Sequence, residues 1–184
     1  METRSDVRKK SQKFSVKRLA LLAILTALCY VGRIVFQFIP NVQPMTTILL
    51  LITLNLTITD GLIVAAASLI LSNMVLGMGP WLFPQLITYF LLLGFAGIFL
   101  KPLYGKGKKN TRFIFTAYSF LNGLLFGFII SIFSYNMYGM TNFWVYYLMG
   151  ISFDLMHAAG NAGFYLILEP ILAPLLHHQM RKIH

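Results

Sequence analysis

Residues 45–76, MTTILLLITLNLTITDGLIVAAASLILSNMVL, decide the fold. In this stretch the only ionisable side chain is that of Asp60. A membrane-spanning helix needs about 20 mainly apolar residues. The stretch is therefore too long for one crossing, and each half is short for a crossing of its own. Asp60-Gly61 divides it as a tight turn between antiparallel helices would, giving runs at 45–59 and 62–76. Working outward, further apolar runs lie at 19–38, 81–100, 113–133 and 145–176. The expectation is an all-α membrane protein with six transmembrane helices over residues 19–176. A basic tail at 1–18 precedes them and a short tail at 177–184 follows.

The composition agrees. Of 184 residues 58% are hydrophobic and 11% charged, with a mean hydropathy of +0.74. Soluble domains carry about 25% charged residues, so a soluble domain, a disordered chain and a disulfide scaffold are all excluded. The single cysteine, Cys29, supports neither an intrachain disulfide nor a cysteine-rich metal site. The first 18 residues are too basic, and the run after them too long, for a cleavable signal peptide.

The charge is lopsided, with 15 Lys+Arg against 5 Asp+Glu and a net of +10. Arg4, Arg8, Lys9, Lys10, Lys13, Lys17 and Arg18 precede the first span. Lys101, Lys106, Lys108, Lys109 and Arg112 lie between the fourth and fifth, and Arg181 and Lys182 follow the sixth. With six spans these segments share one face. The excess of Lys and Arg makes that face cytoplasmic, with both termini inside. These fourteen bases read as setting orientation and attracting anionic lipid, and as nothing more specific. No nucleic-acid module accompanies them, so no nucleic-acid partner is expected. The fifteenth base, Arg33, sits at the other end of the first span.

Ionisable groups in hydrocarbon are costly, which makes each a candidate for function. Asp154, His157 and Asn161, spaced three and then four apart, share one helical face. Arg33, Asn73 and Gln85 fall in the same outer half, with Tyr89 one turn beyond Gln85, and Gln43 and Trp81 lie in the adjoining loops. Together these nine are the expected substrate-binding residues of a pocket open to the outside. Two blander readings compete: Arg33 and Asp154 as a buried ion pair, and the aromatic residues as an interfacial belt. Gly77-Met78-Gly79-Pro80-Trp81 mixes flexible and rigid elements as a gate over a pocket would.

No hydrolase elbow, zinc-protease motif or phosphate-cradling loop occurs, so neither catalysis nor ATP hydrolysis by this chain is expected. Metal binding would need ligands nearer to His157 than any present. An intramembrane enzyme using Asp154 and His157 is the alternative from another class, and a non-transporting assembly partner is a third. Along the first span Ala20, Ala23 and Ala27 include a small-xxx-small pattern, which admits a close partner helix in lipid. Gly123 and Gly127 repeat that pattern in the fifth span.

Six spans, a basic cytoplasmic N-terminus and Ala23-x-x-x-Ala27 together resemble the substrate-binding (S) component of energy-coupling factor (ECF) transporters, ABC-type vitamin importers. The resemblance implies a multi-pass protein of a prokaryotic cell membrane that captures a vitamin on the outside. It implies docking on a transmembrane coupling subunit through Ala20, Ala23 and Ala27. It also implies that ATP is used by two separate ATPase subunits, with no cofactor bound by this chain. Ile39-Pro40-Asn41-Val42-Gln43-Pro44-Met45-Thr46, Gly77-Met78-Gly79-Pro80-Trp81 and Phe153-Asp154-Leu155-Met156-His157-Ala158-Ala159-Gly160-Asn161 look like the cobalamin (vitamin B12) type. Pantothenate and a pyrimidine precursor are the alternative substrates. Cobalamin is amide-rich and would use neutral Asn, Gln, Tyr and Trp donors. A single buried imidazole such as His157 is read as hydrogen-bonded, not as a cobalt ligand.

Overall fold

A computed structural model describes residues 16–104 and 111–183. The tail before Val16, with Lys106, Lys108, Lys109 and the Lys182 side chain, lies outside the described residues. Helices α1 (Val16–Val35), α2 (Met45–Asn55), α3 (Ile58–Leu76), α4 (Leu82–Phe95), α5 (Thr111–Met137) and α6 (Phe143–Ile183) follow in order, with no strand among the described residues. A π turn, Ala96–Leu100, and a 3-10 turn, Lys101–Leu103, prolong α4. By length and apolarity α1, α3, the prolonged α4, α5 and α6 can each cross a membrane.

The run expected at 45–59 folds differently. It forms the 11-residue α2, about 16 Å long against about 30 Å for the 20 residues of α1. Every residue from Met45 to Leu54 is buried. A helix that is apolar on all sides belongs in an interior, and α2 packs against α1, α3, α4, α5 and α6. The Lys101 ammonium, itself half-buried, reaches over to the C-terminal carbonyls of α2. Nζ donates to the Thr53 carbonyl at 3.2 Å and to that of Leu56, which also suits the negative end of the helix dipole.

Asp60-Gly61 is not the turn. The chain reverses at Leu56-Thr57, and Asp60 and Gly61 lie in the first turn of α3. Thr57 is extended and caps that helix: its hydroxyl oxygen accepts from the Asp60 N–H at 3.0 Å, and its O–H donates to the Asp60 carboxylate at 2.7 Å. An acidic residue here also complements the helix dipole. Gly61 serves contact instead of reversal, since a Cβ there would overlap the Thr53 hydroxyl of α2.

The Gly123/Gly127 stripe is used within the chain. A Cβ at Gly123 would overlap the Ala158 backbone of α6, and one at Gly127 the Asp154 carboxylate. Such close approach is what small residues permit. Helix α6 runs past residue 176 to Ile183 and contains Pro170 and Pro174. Pro170 has no N–H to offer the Leu166 carbonyl one turn back. The Arg112 guanidinium takes that place at 2.5 Å and lies 3.6 Å from Glu169.

Arg18, Asp60, Lys101, Arg112 and Glu169 thus gather at one end of the bundle, the basic end. Arg18 pairs with Asp60 at 2.8 Å. Three of the bases expected to do no more than orient the chain therefore hold specific partners. Arg33, about 22 Å further along α1, marks the opposite end. Because α2 finishes level with Lys101, its shortfall of about 14 Å against α1 opens at the Arg33 end. The 36–44 loop descends into this well, far enough that a Cβ on Gly32 would come 2.7 Å from the Pro44 ring.

Candidate functional site

The loop filling the well is fastened to α6. Asn41 has a left-handed backbone (φ 57°), which asparagine tolerates better than most residues. This turns its carbonyl towards α6, where His157 Nδ1–H donates to it at 2.8 Å. The Asn41 side chain donates to the Phe153 carbonyl at 3.4 Å. Phe36 meets Phe164 edge-on, with centroids 5.1 Å apart. Between this loop and the ends of α1 and α3 lies a cavity of about 280 Å³. Arg33, Gln37, Asn41 and Gln43 give it polar walls, and Phe36, Ile39, Val42 and Leu76 give it apolar ones.

Beneath the loop runs a buried polar chain. Tyr89 and Thr46 hydroxyls lie 3.0 Å apart, and Thr46 Oγ1 lies 3.4 Å from His157 Nε2. A carbonyl only accepts, so His157 Nδ1 carries a hydrogen. In the neutral ring Nε2 then accepts from Thr46, whose oxygen accepts from Tyr89. The Phe126 ring packs at 5.0 Å from Tyr89 and 5.4 Å from His157. Both imidazole nitrogens are engaged, so neither remains for Asp154 in an acid–base pair.

Asp154, His157 and Asn161 are 7%, 3% and 0% exposed, which puts the expected face of α6 in the interior. The three have different fates there. His157 joins the chain just described. The Asn161 carbonyl accepts from Thr47 and Ser119, each at 3.0 Å, while its side-chain amide has no hydrogen-bond partner among the described residues. The Asp154 carboxylate lies over Gly127 and has no ion pair among them. Arg33 does not pair with it. Instead Arg33 Nη1 donates to the buried Ser72 hydroxyl at 2.8 Å.

The remaining expected residues divide. Gln43 lines the cavity with Arg33. Asn73 and Gln85 bond to each other at 3.0 Å and tie the end of α3 to the start of α4. Trp81 stands exposed in the turn between them, its ring covering Gly79. Sequence reasoning passed over Thr46, Ser72 and Phe126. Thr46-Thr47, a polar pair opening an apolar run, was the available signal for the first, and Phe126 gave none.

On the outside of α1, Ala20, Ala23 and Ala27 are exposed. Ala23 sits in an apolar groove of about 470 Å³ between α1 and α3, shared with Leu19, Leu22, Thr26, Ile63 and Ala67. A family model described as the substrate-specific component of ECF transporters matches residues 17–172. No curated protein and no solved structure matches the chain.

Proposed function

The chain belongs to the family of ECF transporter substrate-specific components, and from that premise we propose that it captures a vitamin in the well at its Arg33 end. Members of the family are transport subunits that work with a coupling subunit and ATPase subunits. The observation that carries the location is the polar wall of the cavity at that end, in which Arg33 stands with no acidic partner among the described residues. A charge held among helices is otherwise paired, so this cavity is a place where a ligand supplies the missing contact.

The basic end faces the cytoplasm in this reading, following the distribution of Lys and Arg. Helix α2, threading the bundle from Pro44 down to Leu56, counts as the sixth pass and brings both termini to that side. The exposed Ala20, Ala23 and Ala27 and the groove beside Ala23 form the docking face for the coupling subunit. ATP is hydrolysed on the partner subunits. An Asp154/His157 enzyme is disfavoured because the imidazole has no free nitrogen.

The outer segments resemble the cobalamin type, and cobalamin is the substrate this resemblance proposes. The cavity volume favours a second reading. Sites for drug-sized ligands run to about 300–1,000 Å³, so 280 Å³ suits a ligand the size of pantothenate or a pyrimidine precursor. A corrin would need the 36–44 loop and the Gly77–Trp81 turn to part. Calorimetric titration of the purified chain with a vitamin panel decides between them. Submicromolar binding of cobalamin supports the first, tight binding of a smaller vitamin supports the second, and no binding of any vitamin overturns the capture role.

A further inference from the structure

We propose that Arg33 is the receptor for an anionic group on the captured molecule, a carboxylate or a phosphodiester. This rests on the capture reading above and adds the chemistry by which the site selects. A guanidinium carries five N–H donors in a rigid fork. In Arg33 one of them meets the Ser72 hydroxyl, a neutral group that leaves the charge uncompensated. Arg33 is the only base at its end among the described residues. Asp60 and Glu169 are paired at the other end, and Asp154 does not reach it. A cation held among apolar helices without a counter-ion is unfavourable unless something supplies one.

The surroundings say what that is. The fork of an arginine matches the paired oxygens of a carboxylate or phosphate. Gln37 and Gln43 line the same cavity, and their amides can donate to the same anion, while Phe36, Ile39 and Leu76 offer apolar walls to the rest of the molecule. A lipid headgroup phosphate carries the same chemistry. However, Ser72 is fully buried, so its bond to Arg33 turns the guanidinium inward, towards the cavity.

The test uses the full-length chain in neutral detergent and compares a vitamin with an analogue that lacks only its anionic group. Pantothenate is compared with the alcohol pantothenol; for cobalamin, whose phosphodiester cannot be removed without the ribose and base, wild type is compared with Arg33→Gln, with cobinamide as the phosphate-free control. The anionic member of the pair that binds should bind about ten- to a hundredfold more tightly, the range for a charge-assisted hydrogen bond. Arg33→Gln should erase that preference while the charge-free analogue binds the variant and the wild type alike, and Arg33→Lys should retain part of it. Equal binding of both members by the wild type overturns the assignment, as does a preference that survives Arg33→Gln. Thermal stabilisation by phosphatidylglycerol that Arg33→Gln abolishes, with the ligand preference intact, would assign Arg33 to lipid and overturn it too. If no vitamin binds at all, the capture role itself falls; if binding ignores charge, only this assignment does.

Discussion

At the basic end Asp60 lies 2.8 Å from the Arg18 guanidinium and Glu169 lies 3.6 Å from that of Arg112, while Lys101 holds two carbonyls at the end of α2. At the opposite end Arg33 and Asp154 are both largely removed from solvent, and neither has a charged partner among the described residues. The same types of residue are complete in one place and incomplete in the other. Paired charges and capped carbonyls close the basic end into a fixed base for the helices. The Arg33 end, where α2 stops short and a loop fills only part of the gap, keeps its charges available. Stability and binding should therefore respond to different ends of the molecule.

The largest effect on stability is expected from Asp60→Ala. It removes the partner of Arg18 and the acidic residue of the α3 cap together. Breaking a buried pair costs about 3–5 kcal/mol, and Arg18 retains a little solvent, so about 3 kcal/mol is expected from thermal unfolding in detergent. Vitamin affinity of the folded fraction should stay within about twofold. Lys101→Met, at the same end, costs about 1 kcal/mol, because the Thr53 and Leu56 carbonyls lose their donor at a half-buried site. Should either variant abolish binding while the protein is still folded, the two ends are not independent.

His157→Ala belongs to the middle of the scale and tests the boundary between the ends. It leaves the Asn41 carbonyl without its donor and frees Thr46 from the polar chain, a loss of about 1–2 kcal/mol. Its effect on binding should be larger, tenfold or more, since the 36–44 loop that walls the cavity loses its anchor. Arg33→Gln inverts the pattern of Asp60→Ala. Affinity for the anionic ligand falls, while stability is retained or gained, because no counter-ion is stranded and an uncompensated charge is removed from among the helices. A large loss of stability in Arg33→Gln would mean that the charge already has a structural role.

These contrasts also show which features could be read in advance. Long apolar runs and the segregation of Lys and Arg are local properties, so the helices and the clustering of bases were legible. The spacing of Asp154, His157 and Asn161 fixed their common face for the same reason. Pairing was not legible, because it depends on which helices cross. Thr46 meets a ring 111 residues away, and Arg33 selects Ser72 on α3 in preference to Asp154 on α6. Around Asp60 two local signals compete. Asp-Gly marks a turn, but Thr57 three residues ahead of an acid, before an apolar run, marks a helix start. The start prevails because α3 needs a cap and Gly61 needs to approach Thr53. The shortness of α2 follows from that choice, and so does the well at the Arg33 end.

The smallest effect on the molecule itself is expected from Ala23→Trp, and its value lies in that smallness. Ala23 is exposed on α1 in the basic half, away from the cavity, so an indole there displaces nothing from the core. Stability should change by less than about 0.5 kcal/mol and vitamin affinity not at all. The indole would instead fill the groove beside Leu22, Ile63 and Ala67, where a close-packed partner helix has to lie. Uptake by cells carrying the ECF module should therefore be lost although capture is intact. Val145→Trp, at an exposed position on α6, should leave uptake unchanged. If Ala23→Trp weakens vitamin binding in the isolated chain, this face of α1 shapes the pocket, and a site confined to the Arg33 end is wrong.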